Sequence, residues 1–538
     1  MLIKNNKQII FANGKIFTSN VEQPYVSAMI VEEGRIKWIG NQQELEDTSS
    51  NQVVDLKGRT VLPGFIDAHC HPVLLANCMK QVACTKPLVN SIEEMKEQIR
   101  KKSFEIGQDE WIEGWGYDEG KLAEGRAPTR WDLDEAVSDI PVVIRRSCEH
   151  IVAVNSKALE LAGITKDTVD PLGGKIDRAK DGEPTGILRE NAKELVRDIM
   201  PKKTLEEEAT TLVELSKVLL SKGITAITEL MALKQPIDYM DIFEQAKENG
   251  WIQRTVLYYI WNQINNNPFI ASERLNRDNR IHIGGIKLFS DGSVSGQTAW
   301  VRDSFKGTSE NCGIQMLTKQ ELLDAAEAAK ENNIQLVIHA MGDRAIDLII
   351  DTFLHTQSWL EEGPSIRIEH FALPTDKAIK RVKEANIAVV TQPIFQFAEI
   401  ESYLLNIGLE RTQRAYPVQS LLSEGVQVAF SSDAPATAWA DPVNPFVTIQ
   451  AAVTRNAYDG TNLGHNERVD VPTAIHLYTE AAQKVTRIPA VGQLKEGYHA
   501  DFIVLNQDIF EIDPATINQI IVEETYMGGQ LVYQKAKL

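Results

Sequence analysis

The side chains best suited to chemistry in this 538-residue chain are four of its ten histidines, one lysine and one aspartate. His69 and His71 lie in the stretch Gly64-Phe65-Ile66-Asp67-Ala68-His69-Cys70-His71-Pro72, after an apolar approach made by Val61, Leu62, Phe65 and Ile66. In an extended chain the i, i+2 spacing turns both imidazoles to one face and Cys70 to the other. Two neutral imidazoles converging from one strand end can hold a divalent metal. The other four groups, Lys287, His339, His370 and Asp433, are distant in the chain, and each ends or follows a short apolar run. His282, His355, His465, His476 and His499 have no metal-like context and read as structural or surface groups.

The elements that must position these groups alternate between strand and helix. Beginning with the stretch that leads to His69, apolar strands are read at 224–229, 255–260, 283–289, 334–339, 366–370, 387–391 and 426–430. Helical patterns at 205–222, 319–332, 375–384 and 418–424 fall between them, two of them stopped by Gly223 and Gly425. Eight such strands with intervening helices predict an α/β fold, a closed (β/α)₈ TIM-like barrel. In that fold functional groups sit at the C-terminal ends of the strands. His69 and His71 end strand one, Lys287 lies near the end of strand four, His339 ends strand five, His370 ends strand six and Asp433 follows strand eight. Scattered core histidines would not all choose that rim.

Both chain ends have a different texture. Residues 1–60 read as short strands with tight turns, including Asn13-Gly14, a type I′ hairpin signal. The segment 485–538 has similar strands at 502–505 and 530–533. Neither set makes a stable sheet alone, so a composite small β-sandwich domain is expected from 1–60 plus 485–538, with the barrel spanning 61–484. A stretch of about 75–200 fits no simple βα unit and reads as an insertion after strand one, a lid or specificity subdomain over the barrel mouth. Within it, Trp115 and Tyr117 either line an apolar pocket or form the insertion's own core. His150 either polarises a substrate carbonyl or is a hydrogen-bonded structural group.

Composition narrows the classes of function. A net charge of −19 and an acidic pI near 5.1 disfavour binding to nucleic acid or to an anionic membrane surface. No apolar run is long enough for a signal peptide or a membrane span. Five cysteines without CxxC spacing suggest free thiols in a reducing cytoplasm.

The stretches GFIDAHCHP, GGIKLFSDGSVSG, VIHAMGDRAID, RIEHFALP, FSSDAP and the terminal GQLKEGYHADFIVL together resemble the amidohydrolase superfamily. Within it they are similar to the YtcJ-like branch that includes N-substituted formamide deformylases, and the resemblance spans essentially the whole chain. It implies a two-metal site. His69, His71 and Asp433 would hold the more buried ion, His339 and His370 the second, and Lys287, carboxylated by CO₂, would bridge them. An ammonium has no acceptor and cannot ligate a cation, whereas a carbamate offers two anionic oxygens. The alternative for Lys287 is an ion pair with Asp291. The imidazole-rich shell suits zinc first, and Mn, Fe or Co fit the same ligands.

Such a pair of ions can share a hydroxide with a pKa near neutrality and polarise a carbonyl. Asp433 is placed to take the proton and pass it to the departing amine. Asp291 and Arg344 are further candidates for substrate contact, with a salt bridge as the alternative for Arg344. The implied substrate is a small-molecule linear amide, N-acyl or N-formyl, and the resemblance carries an expectation of a homodimer. A rival is deamination, but such enzymes place a glutamate soon after the strand-five histidine. Here His339 is followed by Ala340-Met341-Gly342-Asp343-Arg344, and Lys287 is present. Cyclic amide or imide hydrolysis with the same metals stays open. A non-catalytic regulatory or binding protein on this fold is the alternative of another class, against which the complete ligand set argues.

Overall fold

Eight parallel strands carry the predicted metal ligands. They are β1 (Phe65–Cys70), β2 (Ile224–Ala232), β3 (Arg254–Ile260), β4 (Ile281–Phe289), β5 (Gln335–Ala340), β6 (Ile366–His370), β7 (Ala388–Thr391) and β8 (Val428–Phe430). Each pairs in parallel with its successor in the chain, as the strand–helix alternation predicts. The computed structural model describes residues 8–45, 52–107, 110–147 and 151–536. His150 and Cys148 lie outside the described residues.

The strands are buried on both faces, which is why they read as nearly continuous apolar runs. Ile66, Ala68, Val256, Tyr258, Val337, Val390 and Ala429 meet in one core cluster. The covering helices show the matching 3.6-residue period. Lys319–Glu331 starts with a capping box between Thr318 and Glu321 and buries Leu322, Ala325 and Ala329. Asp343–Phe353 buries Ile346, Ile349, Ile350 and Phe353.

The ring closes differently from how it propagates. Among the described residues no ladder joins β8 to β1. Side chains and loop backbone close the seam instead. The Ser432 backbone N–H and hydroxyl donate to the Asp67 carboxylate at 3.1 and 2.5 Å, and the Asp433 N–H donates to the His69 carbonyl at 2.8 Å.

The chain divides into two compact units. The first comprises Met1–Pro72, Leu212–Asp433 and Val443–Leu538, so it holds the barrel and the strands of both ends. Those end strands form a six-stranded sheet in the order Gln530–Gln534, Val522–Met527, Phe502–Leu505, Thr60–Pro63, Lys15–Phe17, Tyr25–Val26. A four-stranded sheet follows the order Arg35–Gly40, Ala28–Glu32, Ile9–Ala12, Gln52–Asp55. Phe11, Ile16, Met29, Val61, Phe502 and Tyr526 share one core.

Two local expectations are corrected here. Asn13-Gly14 is not a hairpin turn. Ile9–Ala12 and Lys15–Phe17 belong to different sheets, because the Gly14 N–H donates to Ser27 and the Lys15 N–H to Arg59. The apolar approach to His69 is also not one strand. Thr60–Pro63 pairs with Phe502–Leu505, and the chain changes sheet at Gly64. A Cβ there would lie 2.3 Å from the Thr225 hydroxyl, so only glycine permits the crossing.

The second unit comprises Val73–Thr211 and Ala434–Pro442. Its six-stranded mixed sheet runs Gly174–Arg178, Pro184–Glu190, Ile151–Val154, Val142–Arg146, Ile112–Tyr117, Val82–Ala83. No helix among the described residues is long and apolar enough to cross a membrane.

Candidate metal centre

His69 and His71 sit at the end of β1, and both are buried. Their Nε2 atoms converge on one oxygen, Oδ1 of Asp433, at 3.2 and 2.8 Å. Ligand atoms of His69, His71 and Asp433 all lie within 4.8 Å of one another, the one such group of three among the described residues. His370 is the next side chain along the rim, its ring centroid 5.1 Å from that of His69, and His339 follows at 4.4 Å from His370. His339 and His370 thus adjoin the trio through ring contacts and are not part of the group of three.

Backbone strain helps to aim these groups. Strand alternation sends successive side chains of β6 to opposite faces. His370 and Phe371 instead adopt left-handed φ values of +71° and +51°. As a result both Glu369 and His370 reach His69: the Glu369 carboxylate accepts from His69 Nδ1 at 2.6 Å, beside the ring contact just described. Asp433 is also left-handed, with φ +54°. Side chains bear this cost only where surrounding structure enforces it, and functional sites are where it concentrates.

Lys287 points from β4 into the same interior, fully buried, and its amine has no hydrogen-bond partner. Nζ lies 5.0 Å from the centroid of the Phe289 ring. Burial lowers its pKa to about 8, against the pull of Glu369 and Asp433. The alternative ion pair with Asp291 is not made. Asp291 is buried, and its carboxylate accepts backbone N–H groups from Trp300, Met341 and Gly342 at 2.8, 3.0 and 2.8 Å. It ties the loop after β4 to the loop after β5, with Oδ1 3.5 Å from His339 Nε2. Arg344 lies over the Trp300 ring at 6.0 Å. Trp115 is in the second unit, where its indole donates to the Cys78 carbonyl at 3.2 Å. The backbone passes close at Gly292: a Cβ would meet Thr298 at 2.1 Å, and the Gly292 carbonyl is 3.0 Å from His339 Nε2.

Electrostatics divide the histidines. Burial drives His339 down to about 4 and His370 well below its usual value, so both are neutral with a free lone pair. Burial also opposes charge on His71, but the hydrogen bond to Asp433 and the negative charge of nearby Glu229 outweigh it and raise His71 to about 9. Burial works against ionised Asp433 too, yet His69 and His71 hold its carboxyl well below the usual carboxylate range. This pocket therefore favours positive charge between His69, His71 and Asp433. A divalent cation satisfies that demand, and the orphaned Nζ of Lys287 marks a second place where a polar partner is missing.

Four residues that complete the site were not singled out from the sequence. Glu369 engages His69, Arg367 lies 2.7 Å from Glu369, Gln392 accepts from His370 Nδ1 at 2.8 Å, and Glu229 lies 3.7 Å from His71. The available signal was a charged or amide group inside an otherwise apolar strand, as in Ile366-Arg367-Ile368-Glu369.

Residues 52–533 match the model of the amidohydrolase family, Amidohydro_3. The chain is 28% identical over 543 residues to "Putative amidohydrolase YtcJ" of Bacillus subtilis, covering 98% of this chain and 99% of that one. It is 27% identical over 549 residues to "N-substituted formamide deformylase" of Arthrobacter pascens, covering 98% and 99%. Among solved structures, an uncharacterized metal-dependent hydrolase from Pyrococcus horikoshii superposes with a TM-score of 0.75 at 26% identity, covering 94% of this chain and 99% of that one. With its near-closed parallel barrel and its His-His-Asp group, the chain belongs to the amidohydrolase family and is a metal-dependent hydrolase.

Proposed function

We propose that the protein hydrolyses the C–N bond of a small linear amide, N-acyl or N-formyl, with two divalent metal ions, zinc foremost. His69, His71 and Asp433 would hold one ion and His339 and His370 the other, with Lys287 as a CO₂-derived carbamate between them. The observation that carries this reading is the buried, unpartnered amine of Lys287 in the same interior as four histidines. An amine is a poor neighbour for cations, whereas its carbamate supplies the oxygen ligands that the site lacks. Bound ions lower the pKa of water and polarise a carbonyl. The protein's own part is proton traffic and orientation. Asp433, held ionised by two histidines, takes the proton of the attacking water and delivers it to the amide nitrogen, which cannot leave as an anion. Similarity to a formamide deformylase over nearly the full chain favours a formyl or short acyl group.

The test is metal analysis of protein from zinc-supplemented growth, followed by turnover of N-substituted formamides, N-acyl amino acids and cyclic imides. About two ions per chain and turnover of a linear amide are expected. Metal-loaded protein that cleaves only the imides would replace the linear substrate by a cyclic one. Protein that stays metal-free and inert would remove the enzyme reading in favour of a binding role.

A further inference from the structure

Below the candidate metal group the barrel interior holds an ion pair that the hydrolytic scheme does not use. Arg367 and Glu369 occupy positions i and i+2 of β6 and are both fully buried. Arg367 Nε lies 2.7 Å from Glu369 Oε1, a charge contact that is not aligned as a hydrogen bond. Arg367 Nη2 donates to the Ala68 carbonyl at 2.8 Å, and the guanidinium stands 4.8 Å from the centroid of the Tyr258 ring. Glu369 Oε2 meets His69 Nδ1 at 2.6 Å. The contacts thus form a closed circuit. It leaves β1 at Ala68, crosses to β6 through Arg367 and Glu369, and returns to β1 at His69.

Such a pair is a poor way to gain stability, because apolar residues of the same size often serve as well or better. Its geometry has a different outcome. The carboxylate on Nδ1 holds a proton there, so that Nε2, the nitrogen that faces Asp433 at 3.2 Å, is the one left to turn its lone pair to a cation. We propose that Arg367 and Glu369 are positioning residues for His69. Glu369 fixes the Nδ1 proton and the plane of the ring, and Arg367 locks Glu369 and the Ala68 carbonyl in place. The proposal rests on the reading of His69 as a metal ligand; the proton it assigns to Nδ1 stands independently of any metal.

Two variants and two readouts test it. Glu369→Gln keeps the shape of the side chain and removes its charge. Arg367→Met with Glu369→Leu removes both charges together, so no buried charge is stranded. Zinc affinity is measured by competition with a chelator, alongside thermal unfolding of the metal-free protein. Both variants are expected to bind zinc roughly 10–100-fold more weakly, while the double variant unfolds at or above the wild-type temperature. Zinc affinity equal to wild type in either variant overturns the proposal, as does a loss confined to thermal stability. In metal-free wild-type protein with ¹⁵N-labelled histidine, His69 should carry a proton on Nδ1, hydrogen-bonded to Glu369, and lose that fixed proton in the double variant. A wild-type His69 with an unprotonated Nδ1 also overturns it. If the wild type binds no zinc but shows the protonated Nδ1, the metal reading fails while the positioning of His69 stands.

Discussion

At the residue scale, the arrangement makes opposite demands on stability and function. Lys287 is an amine held without a partner in a dry interior. Its folded pKa of about 8 lies below the ordinary 10.5, so the buried ammonium destabilises the fold by roughly 3 kcal/mol at pH 7. This cost diminishes as pH rises from about 8 towards 10.5. Lys287→Met should therefore raise the melting temperature of metal-free protein at pH 7 and still lower metal content and turnover, a combination read by calorimetry and metal analysis. Asp433→Asn should leave the circular dichroism spectrum unchanged and reduce turnover by about 10²–10⁴-fold. Retention of most activity would take Asp433 out of the proton path. The gathering of His69, His71 and Asp433 was legible because histidine is rare, with ten in the chain, and each of the three ends or follows an apolar run. Glu369, Gln392 and Glu229 were not, because their roles depend on which face of a strand they take, and at β6 a left-handed residue overrides the alternation from which a face is read.

At the element scale, the barrel strands were legible in number and order, with ends displaced by a few residues as in Ile224–Ala232 and Val428–Phe430, because burial on both faces leaves long apolar runs between polar helix surfaces. The strands of the chain ends were less so. Ile9–Ala12 and Lys15–Phe17 look like a hairpin locally, and only the partners contributed by Ala28–Glu32 and Thr60–Pro63 assign them to separate sheets. Elements also carry titratable groups away from the site. His282, near the start of β4, is buried with Nδ1 3.3 Å from the Asn279 carbonyl, and burial lowers it to about 4. Its folded pKa lies below the unfolded value of 6.5, so the stability it confers is present above pH 6.5 and lost as pH falls towards 4. The loss amounts to about 3 kcal/mol. A His282→Asn variant should show a flatter dependence of denaturant midpoint on pH across that window.

At the scale of the whole molecule, the barrel is a ring with one join that is not a ladder. Asp67 and Ser432 hold that join directly beside His69 and Asp433. Ser432→Ala removes the hydroxyl donor from a buried carboxylate and should cost about 1–3 kcal/mol. Hydrogen exchange should quicken in Phe65–Cys70 and Val428–Phe430 before it does in Ile281–Phe289. Uniform loss of protection around the ring would mean that the join is no weaker than the rest. The sequence pattern gives the number of strands but not how the last meets the first, since a three-residue strand such as Val428–Phe430 says nothing of its partner. The join also sets a timetable for the nascent polypeptide. His69 and His71 emerge from the ribosome long before Asp433, and until the final strand arrives their Nε2 atoms lack the shared oxygen on which they converge. Completion of the His-His-Asp group would then belong to the finished product rather than to translation.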